Sequence, residues 1–411
     1  MNTTAQHDFD LIIVGAGPAG CICALQLAGK GLKIALLESA TFPRDKICGD
    51  ALSPDVINQL KLIDVNLSQR FLQSVRKKDV NRIRFVAPNG KPLDFHFTNP
   101  KHPDAAGYIA RRFDFDYFLF RQLEGLEDIT VFQDHKVTRL ETSAEAVRVY
   151  TDKRSFSASL VVGADGANSV VNRQLARNKV ERDHYCAGIR QYFEGVDDLH
   201  QTDCIELHFY KELLPGYFWI FALPNGQANV GIGMLSSEVS RQRLNLKEKL
   251  TDIIQHHPQV KHRFINASPL EGIQGFGLPI GSRKVQCSGN RFLLLGDAAS
   301  LIDPFTGEGI GNAIRSGRIA ADHLTQAFAQ NRFDADFNIR YDREIYRRMG
   351  TELRVSRSMQ KMLRYPGIFN FLVNKASKNE SVRTLLTSML NNTDLRKELR
   401  RPSFYTRLIF K

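Results

Sequence analysis

Few features of secreted, metal-binding or membrane-spanning proteins occur in this chain of 411 residues. Its six cysteines are scattered and form no paired C-x-x-C clusters, so neither a disulfide framework nor a metal site is expected. It has no run of eighteen apolar residues, and we therefore expect no membrane span. The polar start Met1-Asn2-Thr3-Thr4 does not resemble a signal peptide, so we predict a cytoplasmic protein.

Acidic residues are scarce near the C-terminus. Residues 331–411 contain 18 lysines and arginines against 8 aspartates and glutamates, which is +10 of the chain's net charge of +12. Helical spacing places four basic and four apolar residues on different faces: Arg343, Arg347, Arg354 and Lys361, and Tyr341, Ile345, Met349 and Leu353. Three roles are open for this basic region. It is a helical cap with a solvated basic face, it contacts the inner surface of an anionic membrane, or it contacts a diphosphate-bearing substrate. No recognition motif accompanies the charge, so we expect no nucleic-acid binding.

A glycine-rich loop near the N-terminus is the first positive signal. The loop Gly15-Ala16-Gly17-Pro18-Ala19-Gly20 follows the apolar run 11–14, which predicts a buried strand, and leads into a helix that we expect to begin at Cys21. Glycines let the backbone approach a pyrophosphate, whose charge then faces the N–H groups of the helix N-terminus. Glu38 follows a second predicted strand, 33–37, at the spacing of a carboxylate that binds ribose hydroxyls. The pattern predicts a dinucleotide site and leaves NAD and FAD open.

A second loop far downstream favours FAD. An apolar run leads into Gly296-Asp297-Ala298-Ala299 and then, through a further glycine-rich stretch, into a helix. Two such helix entries suit the length of FAD, with Asp297 placed to bind ribityl hydroxyls. Gly309, Ile310 and Gly311 are placed to put N–H groups beneath the pyrimidine edge of the flavin. An ordinary strand–turn–helix with an aspartate cap is the alternative, and a plain NAD dehydrogenase would leave this loop unexplained.

Three further segments carry a resemblance to a known family. They are Val161-Val162-Gly163-Ala164-Asp165-Gly166-Ala167-Asn168-Ser169, Arg112 ahead of Phe115-Asp116, and Pro43-Arg44-Asp45-Lys46-Ile47-Cys48-Gly49-Asp50. With the two loops, and in this order over roughly residues 8–320, the chain resembles the para-hydroxybenzoate hydroxylase-type flavoproteins and, more narrowly, their geranylgeranyl reductase branch. The resemblance implies that Asp165 belongs to the family's Asp-Gly motif, that Arg112 contacts FAD, and that Cys48 lies near the flavin.

The loops and the resemblance together predict FAD as the cofactor. The residues expected to bind it are Gly15, Gly17, Pro18, Ala19, Gly20, Glu38, Arg44, Cys48, Gly49, Arg112, Asp165, Gly296, Asp297, Pro304, Gly307, Gly309, Ile310 and Gly311.

The segment 217–221 favours the reductase branch. With the glycines that follow, it resembles the branch pattern Y-x-W-x-F-P…G-x-G, whose aromatic residues line the substrate cavity, although Ala222 stands where the family usually has proline. Side chains alternate along a strand, so Tyr217, Trp219 and Phe221 are expected on one face. They form either an aromatic wall for a long apolar substrate or ordinary sheet core.

The candidate catalytic residues are Cys48, Tyr217, Trp219 and Phe221, around a lipid-like or hydrophobic small-molecule substrate. Cys48 is either an inert buried thiol or, as the resemblance implies, a residue near the flavin that positions the substrate or influences proton delivery. The three rings would orient a substrate that offers no polar handle.

The resemblance implies reduction of carbon–carbon double bonds in an isoprenoid or other lipid-like substrate, by hydride transfer from reduced FAD. No second G-x-G-x-x-G follows another strand, so the reductant is either a transiently bound NAD(P)H or another electron donor. A flavin monooxygenase or halogenase acting on an aromatic or polyene substrate is the main alternative, because it shares the three FAD motifs. A flavin-bound, membrane-associated binding or sensor protein without turnover is a third.

We predict an α/β fold with a Rossmann-like FAD-binding domain, an antiparallel β-sheet substrate domain and a C-terminal helical region. The discontinuous FAD-binding domain comprises residues 8–75, 105–180 and 272–330. The substrate domain comprises 76–104 and 181–271, and basic helices occupy 331–411. Pro-Asn-Gly turns at 88–90 and 224–226 support the antiparallel strands.

Overall fold

The computed structural model of the chain describes residues 7–97, 106–199 and 203–379. Its strands are β1 Phe9–Val14, β2 Ile34–Leu37, β3 Ala51–Leu52, β4 Lys78–Val80, β5 Arg82–Val86, β6 Pro92–His96, β7 Gly107–Ile109, β8 Ile129–Phe132, β9 Val137–Thr142, β10 Val147–Thr151, β11 Ser155–Gly163, β12 Tyr185–Glu194, β13 Cys204–His208, β14 Tyr217–Ala222, β15 Gln227–Leu235, β16 Ser268–Pro269, β17 Gln274–Pro279, β18 Ser288–Gly289 and β19 Phe292–Leu294. Its α-helices are α1 Pro18–Leu27, α2 Pro54–Ile63, α3 Val65–Ser74, α4 Arg112–Arg121, α5 Ser236–Gln242, α6 Leu246–His256, α7 Ile310–Ala329, α8 Ala335–Met362 and α9 Pro366–Lys378.

The first large sheet holds the strands predicted for the nucleotide-binding region. Its order is β18-β19-β11-β1-β2-β8, with β10 and β9 attached beside β11. The neighbours β19, β11, β1, β2 and β8 run parallel. Every residue of β2, and all but one of β1, is buried, as expected of a parallel sheet covered on both faces. The carboxyl ends of these strands therefore point at one edge, where α1 and α7 begin.

The helix after the first glycine loop begins earlier than predicted. It starts at Pro18 rather than Cys21, with Gly17 as its extended N-cap. Proline suits this position because the first helical N–H has no partner inside the helix. Pro18, Ala19 and Gly20 thus form the first helical turn, and the loop itself is short.

The second large sheet contains the aromatic strand. Its order is β16-β12-β15-β14-β13-β5-β6, with β17 beside β12. Each neighbouring pair among β12, β15, β14 and β13, in this spatial order, is antiparallel. Strand β5 forms a hairpin with β6. Only β13 and β5 pair in parallel within this sheet, since a long connection rather than a hairpin joins them. Strand β17 brings part of the range 272–330 into this sheet, while the domain boundaries remain predictions.

A small third sheet, β3-β7-β4, lies between the Cys48 segment and α4 along the chain. It joins residues just after Asp50 to residues just before Arg112, through the pairs Ala51–Ile109 and Leu52–Tyr108. These pairs fix the Cys48 segment relative to the first turn of α4.

The C-terminal helices follow the predicted pattern. The apolar stripe of α8 is buried (Tyr341, Ile345, Met349 and Leu353), and the four basic residues predicted to share another face are exposed (Arg343, Arg347, Arg354 and Lys361). Within the described ranges, no helix is long and apolar enough to cross a membrane. Residues 380–411 of the predicted C-terminal region lie outside the described residues.

Candidate active site

The three sequence motifs meet at the carboxyl edge of the parallel sheet. Gly15 has φ +99°, and a Cβ added there would lie 2.4 Å from the backbone oxygen of Ala164 and 3.0 Å from Cα of Asp165. A Cβ added at Gly296 would lie 3.5 Å from Cβ of Ala19. The first glycine loop therefore touches both the Asp-Gly motif and the downstream loop, as ligand sites at such edges require.

Glu38 is buried beneath the first loop. Its Oε2 accepts the Ala16 N–H at 2.9 Å, and its Oε1 accepts the Ala40 N–H at 3.0 Å. Arg44 lies 3.6 Å from the same carboxylate and stacks on the ring of Phe42. Glu38 thus ends β2 as predicted, with a carboxylate that orders the loop backbone.

The two predicted arginines share one carboxylate. Asp116, fully buried in α4, accepts two hydrogen bonds from Arg112 at 2.6 and 2.7 Å and one from Arg44 at 2.9 Å. Burial alone would raise the pKa of Asp116, but the two guanidinium groups hold it below its ordinary value. Asp116 therefore fixes Arg44 and Arg112 in one network, which lies between the first glycine loop and the Cys48 segment.

The loop residues fit a dinucleotide. The Oδ2 of Asp165 accepts the Val170 N–H, whereas its buried Oδ1 has no partner in the described part of the chain. A Cβ added at Gly17 would meet only Nη2 of Arg44, at 3.9 Å, so the loop surface is open there. An orphaned buried acceptor beside an open glycine loop and a helix N-terminus suits a ligand that carries both hydroxyl groups and phosphate.

The aromatic strand forms one wall of a cleft. Trp219 and Phe221 belong to an apolar cluster with Phe305, while the intervening Phe218 and Ile220 belong to another on the opposite face of the sheet. The Tyr217 hydroxyl donates to the carbonyl of Thr306. Side chains therefore alternate between the two faces of β14, as predicted. The rings of Tyr217, Trp219 and Phe221 face the Cys48 segment and the downstream loop.

The Cys48 segment also lines the cleft and packs against these rings. A Cβ added at Gly49 would lie 3.1 Å from the ring of Phe221 and 3.9 Å from that of Trp219. Burial raises the pKa of the Cys48 thiol, and the nearby Arg112 only partly offsets this. The thiol is therefore protonated at neutral pH, unlike an activated nucleophile.

The cleft is mostly apolar. The centres of water-sized molecules have about 180 Å³ of space in it, and the cleft is open to solvent. Eight of the predicted residues line it: Cys48, Gly49, Tyr217, Trp219, Phe221, Gly307, Gly309 and Ile310. Two α8 residues of the apolar stripe, Met349 and Leu353, line it as well. The other predicted residues lie outside the cleft lining. Gly15, Gly20 and Gly296 belong to the glycine loops, and Glu38, Arg44 and Asp165 lie beside them.

Asp50 connects the walls of the cleft. This fully buried residue, with φ +67°, accepts hydrogen bonds from the Tyr192 hydroxyl at 2.7 Å and from Asn229 Nδ2 at 2.8 Å. The same Asn229 amide group donates to the carbonyl of Cys48, and its Oδ1 accepts the Trp219 indole N–H at 2.9 Å. Burial raises the pKa of Asp50 to about 6, against the lowering effect of its two side-chain donors.

An acidic edge lies at the start of α7. Glu308 Oε1 accepts the Gly311 N–H at 2.7 Å. One of the backbone N–H groups predicted to face the flavin is therefore already hydrogen-bonded to a carboxyl group. Burial raises the pKa of Glu308 to about 7, and the carboxylates of Asp55 and Asp303 add to this effect. Arg315 bridges Asp55 and Glu352, each at 2.8 Å, on the same edge.

Asp50, Asn229 and Glu308 belong to the site, but the sequence motifs do not predict a role for them. Asn229 interrupts an otherwise apolar run in β15, and a polar residue there was a usable signal, because buried polar groups require partners. Asp50 ends the segment 43–50, and Glu308 lies in the glycine-rich stretch before α7, but nothing in either pattern indicates that burial raises their pKa values.

The parallel sheet, the paired glycine loops and the adjoining cleft define a flavin-dependent oxidoreductase. The chain belongs to the FAD binding domain family, whose profile matches residues 8–332. The sequence prediction of FAD as cofactor is thereby confirmed.

Similar proteins point to the reductase branch. The chain is 30% identical to the menaquinone reductase of Mycobacterium tuberculosis over 331 residues, covering 77% of this chain and 76% of the relative. It is 28% identical to digeranylgeranylglycerophospholipid reductase 1 of Methanococcoides burtonii, covering 85% and 82%. A geranylgeranyl bacteriochlorophyll reductase-like structure from Thermoplasma acidophilum matches with a TM-score of 0.78 and 25% identity over 95% of this chain and 98% of that one. The predicted resemblance is confirmed.

The fold by itself does not select the reaction. A halogenase in complex with FAD matches with a TM-score of 0.74 over 95% of this chain and 84% of that one, at 18% identity. A likeness at this identity shows the fold alone, so the choice of reaction depends on the cleft.

Proposed function

We propose that the chain reduces carbon–carbon double bonds of an isoprenoid chain in a lipid-like substrate. The observation that carries this proposal is the apolar cleft, whose walls are the alternating rings of β14 and the Cys48 segment. The names of the relatives support it, since they include menaquinone and digeranylgeranylglycerophospholipid reductases.

The reaction adds a hydride and a proton across the double bond, and reduced FAD supplies the hydride when bound. The chain's own residues bind the apolar chain, orient it and exclude water. Trp219 and Phe221 would hold the alkene by ring contact, because it offers no hydrogen-bonding group. Asn229 holds Trp219 in place through its indole N–H.

Two groups on the cleft wall are candidates for proton delivery. One is the Sγ of Cys48, whose thiol pKa is raised by burial, and the other is the carboxyl of Glu308, which is about half protonated because its pKa is about 7. The Tyr217 hydroxyl is protonated as well, but it donates to the carbonyl of Thr306. A group whose pKa lies near the working pH is the more efficient general acid. We therefore assign proton delivery to Glu308 and substrate positioning to Cys48.

We also propose that the two loops hold FAD through the residues predicted for it. Gly15, Gly17 and Gly20 admit the pyrophosphate, and Asp297 would bind ribityl hydroxyls. The half-exposed carboxylate of Asp297 accepts no hydrogen bond within the described part of the chain, so it has capacity for such a partner. The reductant would be a transiently bound NAD(P)H or another electron carrier, since the sequence has no second dinucleotide loop.

We place the enzyme in the cytoplasm, with its basic C-terminal region against the inner face of an anionic membrane. The exposed basic face of α8 supports this placement.

One experiment separates reduction from oxygenation. The flavoprotein is reduced without oxygen, and a geranylgeranyl lipid in detergent or air is then added while the flavin absorbance is followed. We expect the lipid alone to reoxidise the flavin and to gain two hydrogens per event, as measured by mass spectrometry. Product that forms only with oxygen, carrying a hydroxyl group or halogen, would replace our proposal with a monooxygenase or halogenase.

A further inference from the structure

Helix α9 exposes apolar side chains along one face. Its buried residues, Phe369, Leu372, Val373 and Ala376, follow helical spacing and pack inward. Ile368 and Phe371 lie on the opposite face and are 47% and 57% exposed, and Tyr365 just before the helix is 62% exposed. These three account for three of the ten exposed large apolar residues in the described chain, within seven positions. We call Tyr365, Ile368 and Phe371 the α9 patch.

Basic residues surround the α9 patch. Residues 353–379 contain six lysines and arginines and no aspartate or glutamate. Lys375 and Lys378 continue the face of Ile368 and Phe371 at spacings of four and three. Lys361, at the end of α8, is exposed as well. One of these six basic residues, Arg364, pairs with Glu238 at 3.3 Å. The apolar row and the lysines that follow it complement an anionic lipid surface.

The buried face of α9 packs on the cleft wall. The ring of Phe369 lies 4.9 Å from that of Phe209, which itself lies 5.7 Å from the ring of Tyr217. Met359, near the end of α8, lines the cleft directly. Helix α9 and the ring of Phe209 therefore lie between the α9 patch and the aromatic wall.

We infer that the α9 patch docks on an anionic lipid bilayer and so places the cleft next to the membrane that holds the substrate. The inference rests on the proposed function and adds the surface through which the protein would contact the membrane. Ile368 and Phe371 would enter the boundary between headgroups and acyl chains, and Lys361, Lys375 and Lys378 would face the anionic headgroups. The lipid substrate would then be taken up directly from the bilayer.

Vesicle binding of the full-length flavoprotein tests the inference. The vesicles contain phosphatidylcholine with about one third phosphatidylglycerol, and binding is measured by flotation. We expect Ile368→Asp/Phe371→Asp to weaken binding at least tenfold and Lys378→Gln to weaken it about fivefold. The matched control is Val180→Asp/Ile265→Asp, which makes the same chemical change at residues that are 72% and 76% exposed elsewhere. The control is expected to bind within twofold of the wild type.

Three results would overturn the inference: no binding by the wild type, equal losses in the control, or a change from dimer to monomer in the α9 variant on size exclusion, which would make the patch a contact between copies. Flavin reoxidation by the lipid in detergent is measured on the same proteins. An α9 variant that keeps this reaction but loses the vesicles confirms docking. A wild type that binds vesicles but fails in detergent contradicts the proposed reaction and not the docking.

Discussion

The two ends of the site are built from different materials. At the glycine loops, backbone meets backbone: the close neighbour of Gly15 is the carbonyl of Ala164. In the cleft, side chains meet side chains: Gly49 faces the rings of Phe221 and Trp219. Backbone in a sheet cannot shift without breaking strand pairs, whereas rings can move by a few tenths of an ångström. We therefore expect any side chain added at the glycine loops to disrupt the site. In the cleft, we expect small added groups to be tolerated and changes of the chemical groups to alter the reaction.

The largest effect is expected at Gly15. Gly15→Val adds a Cβ 2.4 Å from a backbone oxygen, in a left-handed conformation that costs a side chain about 1–2 kcal/mol. We expect bound FAD, measured by the ratio of flavin to protein absorbance, to fall below one tenth. The control is Gly29→Val, which has φ +74° but no neighbour within 4 Å of an added Cβ. Equal loss of flavin in both variants would attribute the effect to backbone conformation instead of the close approach.

The next effect is expected at Glu308. Glu308→Gln keeps the size of the side chain and removes the proton, so we expect the rate of flavin reoxidation by the lipid to fall roughly 100-fold. Because the pKa of the folded group is about 7, the acid form is complete below that pH and is lost above it. The wild-type rate should therefore decrease as pH rises through about 7, and the variant should lack this step. A variant that retains the step would assign proton delivery to another group, with Asp50→Asn as the first comparison, because the pKa of Asp50 is about 6.

A smaller effect is expected where the added atom meets a ring. Gly49→Ala places a Cβ 3.1 Å from the ring of Phe221, which can move slightly. We expect full FAD content and a KM for the lipid that is altered only a few-fold. Loss of FAD in this variant would break the contrast between the two ends, because it would show that the cleft wall also controls the cofactor.

The same contrast explains what the sequence could predict. The glycine loops are local: strand, turn, helix and acid follow one another from residue 11 to residue 38, so spacing is sufficient to find them. The aromatic alternation is local too. The Asp50 network is not, since Asn229 lies 179 positions further along the chain than the carboxylate that it contacts. The start of α1 was misplaced because Pro18 was assigned to the loop, although proline is favoured in a first helical turn.

The smallest expected effect is spectroscopic, and it tests the cleft end directly. Trp219, the only tryptophan of the chain, is joined to Asp50 through Asn229, so the ionisation of Asp50 should alter its fluorescence. Because burial raises the pKa of Asp50 to about 6, the carboxyl is protonated below this pH and ionised above it. We expect a fluorescence step in the wild type centred near pH 6, of some tens of per cent, and no step in Asp50→Asn. A step that persists in Asp50→Asn but disappears in Glu308→Gln would show that the acidic edge, and not this network, reports protonation to the aromatic wall.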